Sequence, residues 1–190
     1  MKALEEKILR DGKTAPGDIL MVGSFLNQQI DVAFGLEMGK EFYRLFKDDG
    51  VSKIFTIEAS GIGLACLAAT CFRVPVVFAK KAKTSNISGE VFTASSHSYT
   101  HNCDNIITVS KEFLLPTDRI LIIDDFLAAG SSLSALISIV KESGATLVGA
   151  GIAIEKAYQG GGDLHRKNGV RVESLAKIGS MSPDGKIVFC

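Results

Sequence analysis

Between residues 53 and 155 short apolar runs alternate with helix-length segments, and this alternation leaves few folds open. The runs 53–58, 74–79, 119–123 and 146–155 place hydrophobic side chains at successive positions, so both faces of each strand must be covered. The segments 61–72 and 131–142 are long enough to be the covering helices, and strands joined in this way form a parallel sheet. Ahead of this unit, residues 2–10 read as an amphipathic helix carrying Leu4, Ile8 and Leu9 and stopped at Gly12. A loop and short strand lead to Asn27. Asp31 then caps a helix to about Phe46, with Phe34, Met38, Phe42 and Leu45 at helical spacing as a core stripe. The tail offers strands at 171–178 and 186–189 around a Ser-Pro-Asp-Gly turn at 182–185. A polar stretch, 81–105, interrupts the rhythm, although 90–94 and 106–109 are expected to pair as an antiparallel hairpin.

Length and composition bound the rest. The 190 residues suit a single domain spanning 1–190, and 46% hydrophobic with 22% charged residues excludes a disordered or fibrous chain. Lys plus Arg and Asp plus Glu each total 21, leaving no positive excess for a nucleic-acid backbone. The first ten residues carry charges throughout, and no later stretch is long and apolar enough to span a bilayer, so a cytoplasmic protein is expected. Cys66, Cys71, Cys103 and Cys190 lack metal-binding or redox spacing and read as ordinary thiols. His97, His101 and Cys103 are close in sequence, but without a strand or helix to fix them they read as loop residues rather than metal ligands.

In open parallel sheets, ligands bind beyond the carboxyl ends of the strands. Those ends carry Glu58-Ala-Ser-Gly-Ile62, Lys80-Lys81, Asp124-Asp125 with a small-residue loop, and Glu155-Lys156. The strongest signal is Ile120-Leu-Ile-Ile-Asp-Asp-Phe-Leu-Ala-Ala-Gly-Ser-Ser132, an apolar strand that runs through two acids and a small-residue loop into a helix. At that helix start the backbone N–H groups of Ala128, Ala129, Gly130, Ser131 and Ser132 are placed to receive a phosphate dianion, helped by the helix dipole. Asp124 and Asp125 repel such an anion but accept hydrogen bonds from a vicinal diol one step away. Phosphate and diol at that separation describe ribose 5-phosphate.

This stretch resembles the phosphoribosyl pyrophosphate signature of type I phosphoribosyltransferases, with Ala129 where many members have Thr, so one hydroxyl contact is lost or taken over by Ser131 or Ser132. The resemblance extends along nearly the whole chain and is strongest to the bacterial xanthine phosphoribosyltransferases, through Ser24-Phe-Leu-Asn-Gln-Gln-Ile-Asp31, Val51-Ser-Lys-Ile-Phe-Thr-Ile-Glu-Ala-Ser-Gly61, Val74-Pro-Val-Val-Phe-Ala79 and Gly151-Ile-Ala-Ile-Glu-Lys156. It implies the α/β fold of type I phosphoribosyltransferases: a twisted, mostly parallel sheet flanked by helices, with a core at about 35–160. A hood from about 1–34 and 161–190 and a flexible antiparallel loop over the site complete that fold. It implies further that Ala59, Ser60 and Gly61 hold pyrophosphate through main-chain amides, often with a non-proline cis peptide before Ser60, and that Lys80 and Lys81 approach the same group. Lys156 is implied to donate to the 6-oxygen of a purine, which suits an ammonium because it has only donors. Leu20 and Asn27 are implied to contact xanthine.

The implied reaction is displacement of pyrophosphate from C1 of phosphoribosyl pyrophosphate by xanthine, with Asp124 and Asp125 stabilising the cationic sugar and magnesium held mainly by the substrate. A homodimer is likewise implied. Three alternatives stand beside this reading. One is a guanine- or hypoxanthine-preferring transferase. Another is a dinucleotide enzyme, since Ser60-Gly-Ile-Gly-Leu-Ala-Cys66 follows a strand and opens a helix, although it lacks the third glycine and leaves the two acids unexplained. The last is a non-catalytic sensor of phosphoribosyl pyrophosphate, for which the charge balance offers no operator-binding face.

Overall fold

The computed structural model describes residues 1–81, 89–98, 103–182 and 185–190. Its centre is a six-stranded sheet. Strands β3 (Lys53–Ile57), β4 (Val76–Ala79), β7 (Arg119–Leu127), β8 (Thr146–Lys156) and β9 (Val172–Met181) run parallel, and β10 (Ile187–Phe189) closes one edge antiparallel to β9. The order across the sheet is β10-β9-β8-β7-β3-β4.

The two-sided apolar pattern has its expected cause. Ile54, Leu121 and Ile123 face one core layer, with α1 (Lys2–Asp11), α2 (Val32–Phe46) and α3 (Ser60–Phe72); Phe55, Ile120 and Ile122 face the other, with α4 (Ser131–Glu142). Because successive strand residues point to opposite faces, one unbroken apolar run serves both layers.

The amino-terminal region packs on the first layer. Strands β1 (Lys13–Ala15) and β2 (Ile19–Met21) form a small hairpin, followed by a π-helical turn at Gly23–Asn27. Lys7 locks this region to α2: its ammonium lies 5.2 Å from the centre of the Phe25 ring and 5.1 Å from that of Phe34, and pairs with Asp31 at 3.0 Å. Asp31 caps α2 as the sequence predicts, accepting from the Phe34 amide at 3.1 Å.

Several boundaries differ from the sequence reading. The polar interruption contains a longer hairpin than expected, β5 (Val91–Ser98) with β6 (Cys103–Ser110), so His97 and Cys103 lie on strands rather than in a loop; His101 lies outside the described residues. Lys80 and Thr108 exchange backbone hydrogen bonds, tying β6 to the end of β4. Two parts of the expected loop over the site, 82–88 and 99–102, also lie outside the described residues, as does the Pro-Asp pair of the 182–185 turn. Strand β7 continues four residues past its predicted end at Ile123, because pairing with β8 is maintained from Asp124↔Ile152 to Leu127↔Glu155. A seven-residue helix, α5 (Gly161–Lys167), has no counterpart in the sequence reading: it begins within three consecutive glycines, 160–162, which oppose a helix locally, and tertiary contacts hold the turn.

Candidate active site

The chain reverses its direction of travel across the sheet between β3 and β7. From β3 it passes outward to β4, then returns to lay β7 on the other side of β3. At such a switch point the loops leaving adjacent strands diverge and open a crevice at the strand carboxyl ends. The two loops that leave here are the ones the sequence singles out, 58–61 after β3 and 128–132 after β7.

Asp124 and Asp125 line the floor between them. Only 8% of Asp124 and 5% of Asp125 is accessible, so both are nearly withdrawn from water. Ser60 Oγ donates to Asp125 Oδ1 at 3.0 Å, joining the start of α3 to β7 across 65 residues of chain, and the Asp125 amide donates to Asp124 Oδ1 at 3.0 Å. Burial, and next to it the charge of Asp125, push the Asp124 carboxyl well above the usual range, while Lys81 works in the opposite direction. Gly61 is required by this packing. A Cβ there would lie 2.3 Å from Thr56 Oγ1 and 2.6 Å from Asp124 Oδ1, so any side chain would displace the carboxylate.

The loop after β3 is held from the other side by β4. The Lys81 amide donates to Glu58 Oε1 at 2.6 Å, which sets Lys81 beside the crevice. Among the described residues the Glu58–Ala59 peptide is cis, one residue earlier than the resemblance implies. Ala59 is exposed, Ser60 partly buried and Gly61 buried at the start of α3. Beyond β7, Ala128 and Ala129 lead to Gly130, whose φ of 90° turns the chain into α4 at Ser131 and Ser132. A side chain rarely adopts that φ.

The residues expected to meet a purine are placed less uniformly. Lys156 ends β8, partly buried, and its ammonium donates to the Asp18 carbonyl in the β1–β2 turn. Burial holds its pKa below the usual lysine value. Leu20, in the strand after that turn, is 93% buried within the first core layer, and Asn27 is exposed at the end of the π-helical turn. Glu155 does not join the strand-end group. Strand alternation sends it to the opposite face from Lys156, where Arg166 of α5 clasps it with two hydrogen bonds of 2.8 and 2.6 Å. Only one signal in the sequence pointed there: a carboxylate in an otherwise apolar strand requires a cation, but nothing local says which.

Comparison with known proteins agrees with this geometry. Residues 33–178 match the phosphoribosyl transferase domain. Over 190 residues, covering all of this chain and 98% of the relative, 52% are identical to a xanthine phosphoribosyltransferase of Lachnoclostridium phytofermentans. A xanthine phosphoribosyltransferase of Ruminiclostridium cellulolyticum is 50% identical over 189 residues, covering all of this chain and 99% of the relative. Among solved structures, the adenine phosphoribosyl transferase of Trypanosoma brucei superposes with a TM-score of 0.77 at 20% identity, over 92% of this chain and 79% of that one. That of Rhodothermus marinus superposes at 0.74 and 20% identity, over 94% and 100%. With the switch-point crevice, the paired acids and the small-residue helix start in one place, the chain has the type I phosphoribosyltransferase fold and belongs to the phosphoribosyl transferase domain family.

Proposed function

We propose that this chain transfers the 5-phosphoribosyl group from phosphoribosyl pyrophosphate to xanthine, giving xanthosine 5'-monophosphate and pyrophosphate. The observation that carries the reading is the pair Asp124 and Asp125, almost dry and set between a small-residue helix start and the loop 58–61. In this reading Ala128, Ala129, Gly130, Ser131 and Ser132 receive the 5'-phosphate. Ala59, Ser60, Gly61, Lys80 and Lys81 face the pyrophosphate, and Leu20, Asn27 and Lys156 meet the purine. The segment 1–34 forms a hood on the core, while residues 172–181 and 187–189 are strands of the central sheet itself, and the enzyme works as a cytoplasmic homodimer.

The C1–oxygen bond to pyrophosphate breaks as a bond from C1 to a purine ring nitrogen forms; the leaving pyrophosphate takes the electron pair, and the proton of that nitrogen passes to solvent water. Positive charge accumulates on the ribose and negative charge on the leaving group. Asp124 and Asp125 oppose the first at close range, the amides of loop 59–61 and the lysines hold the second, and the helix start anchors the 5'-phosphate so that C1 stays in place. A cation arriving beside Asp124 draws its carboxyl toward the ionised form.

The donors here are carboxylate and hydroxyl oxygens, which suit magnesium, and Asp124 and Asp125 are the residues that would approach it through the substrate's hydroxyls. When bound it would neutralise the departing pyrophosphate.

The test is an assay with magnesium and phosphoribosyl pyrophosphate, offering xanthine, hypoxanthine, guanine and adenine separately and identifying the nucleotide. Nucleotide from xanthine with little from adenine is expected. Product from none of the four, with phosphoribosyl pyrophosphate still bound, would replace the enzyme with a sensor. Lys156→Met tests the purine contact. Loss of one charge-assisted hydrogen bond should raise the KM for xanthine roughly 10- to 100-fold and leave that for phosphoribosyl pyrophosphate unchanged. A rise confined to phosphoribosyl pyrophosphate would move Lys156 out of the purine site.

A further inference from the structure

The phosphate-loop reading assigns no task to α5, yet this helix makes three contacts behind that loop. The Gly161 amide donates to the Ala128 carbonyl at 3.2 Å. His165, 6% accessible, holds its Nε2 3.2 Å from the Gly130 carbonyl and 3.3 Å from Ser134 Oγ on α4. Gly161 also fits against the loop backbone so closely that a Cβ would lie 2.3 Å from the Ala128 oxygen and 2.6 Å from the Ala129 carbonyl carbon. The helix is itself pinned to the sheet through Arg166, which grips Glu155 on β8 and donates from Nε to the Val172 carbonyl on β9 at 3.1 Å.

These contacts have a directional consequence. A carbonyl only accepts, so the contact with Gly130 is a hydrogen bond in the tautomer that carries its proton on Nε2; the same carbonyl also accepts from the Ser134 amide at 2.9 Å. In a planar trans peptide, the carbonyl of one residue and the N–H of the next point in opposite directions. The Ala128 carbonyl, held by the Gly161 amide, and the Gly130 carbonyl, shared between His165 and the Ser134 amide of α4, therefore fix the N–H groups of Ala129 and Ser131 on the opposite side of their peptides. Those are groups that an anion at this helix start must meet.

We propose that His165 is a positioning residue for the 5'-phosphate: acting through the Gly130 carbonyl, and together with Gly161, it presets the loop 128–132 in its anion-receiving conformation. The preset matters because a small-residue loop has many conformations to lose, and a loop ordered before binding does not lose them on binding. This proposal rests on the reading of 128–132 as the phosphate loop.

The experiment compares two ligands by titration calorimetry on the full chain. Ribose 5-phosphate probes the loop 128–132, and pyrophosphate probes the loop 58–61. His165→Leu should weaken ribose 5-phosphate about tenfold and leave pyrophosphate unchanged, as expected from the loss of one ordered hydrogen bond and its loop. His165→Gln places an amide N–H near the position of Nε2 and should return affinity to within about threefold of the unaltered chain. Should the leucine variant fail to fold, Gly161→Ala, which pushes on the same loop, should give the same selective loss. Unchanged ribose 5-phosphate affinity in the folded variants, or equal weakening of both ligands, overturns the positioning role. Failure of the unaltered chain to bind ribose 5-phosphate would instead overturn the phosphate-loop reading.

Discussion

Replacing Asp124 and Asp125 together by asparagine is expected to lower kcat about 10³-fold or more while the thermal midpoint holds or rises. The two effects separate because the charges work for the reaction and against the fold. Asp124 is buried beside another carboxylate, and its folded pKa is raised above its unfolded value. Between those two values the folded state binds more protons than the unfolded one, so stability falls as pH rises through the window and the cost persists above it. Asparagine keeps the shape, and its amide oxygen still accepts from the Asp125-position amide, but the cost of charge is gone. Heat denaturation at neutral pH and single-turnover kinetics with phosphoribosyl pyrophosphate in excess check the two halves. Unchanged turnover in the double variant would remove the acids from the mechanism.

Arg166→Met should be the most destabilising change on the far side of the sheet, costing about 3 kcal/mol at neutral pH by leaving Glu155 buried beside Ser174 alone. Burial pushes the Glu155 carboxyl up, but hydrogen bonds from Arg166 and Ser174 and the arginine's charge outweigh it, so its folded pKa lies below the ordinary carboxylate value. Stability from this pair is therefore complete above the unfolded pKa and lost as pH falls through the folded one. Urea titrations should show the gap between variant and unaltered chain narrowing as pH falls into the carboxylate range. Adding Glu155→Gln to Arg166→Met should recover part of the loss, since no unpaired charge remains. A double variant no more stable than Arg166→Met alone would show that the arginine serves as packing rather than as counter-charge.

Local chemistry made much of the fold legible. Helix 131–142 was bounded to the residue because Gly130 and the following serines mark its start and apolar spacing marks its face. The strands through Ile54–Ile57 and Ile120–Ile123 were legible because being apolar on both sides has few causes. Strand ends were less so: β7 runs on through two acids that no propensity scale would place in a strand, because β8 offers a full ladder of partners. Helix α5 was invisible for the same reason in reverse. Its two glycines and the glycine before them oppose a helix locally, and the contacts that hold it, from Arg166 to Glu155 and from Gly161 to Ala128, are made to other elements rather than within the helix.

For the site the division is similar. The sequence alone determined which residue types stand at each strand end: two acids before a small-residue helix start, a Glu-Ala-Ser-Gly turn, and a lysine closing an apolar strand. Those are properties of neighbours along the chain. The tertiary structure decided which of them meet. It placed β3 beside β7, so that Ser60 reaches Asp125, and it turned Glu155 away from Lys156 toward Arg166. It also set His165 behind Gly130. The reason is that strand order and side-chain facing depend on long-range packing, where each choice is settled by what must be buried together rather than by what lies next in sequence.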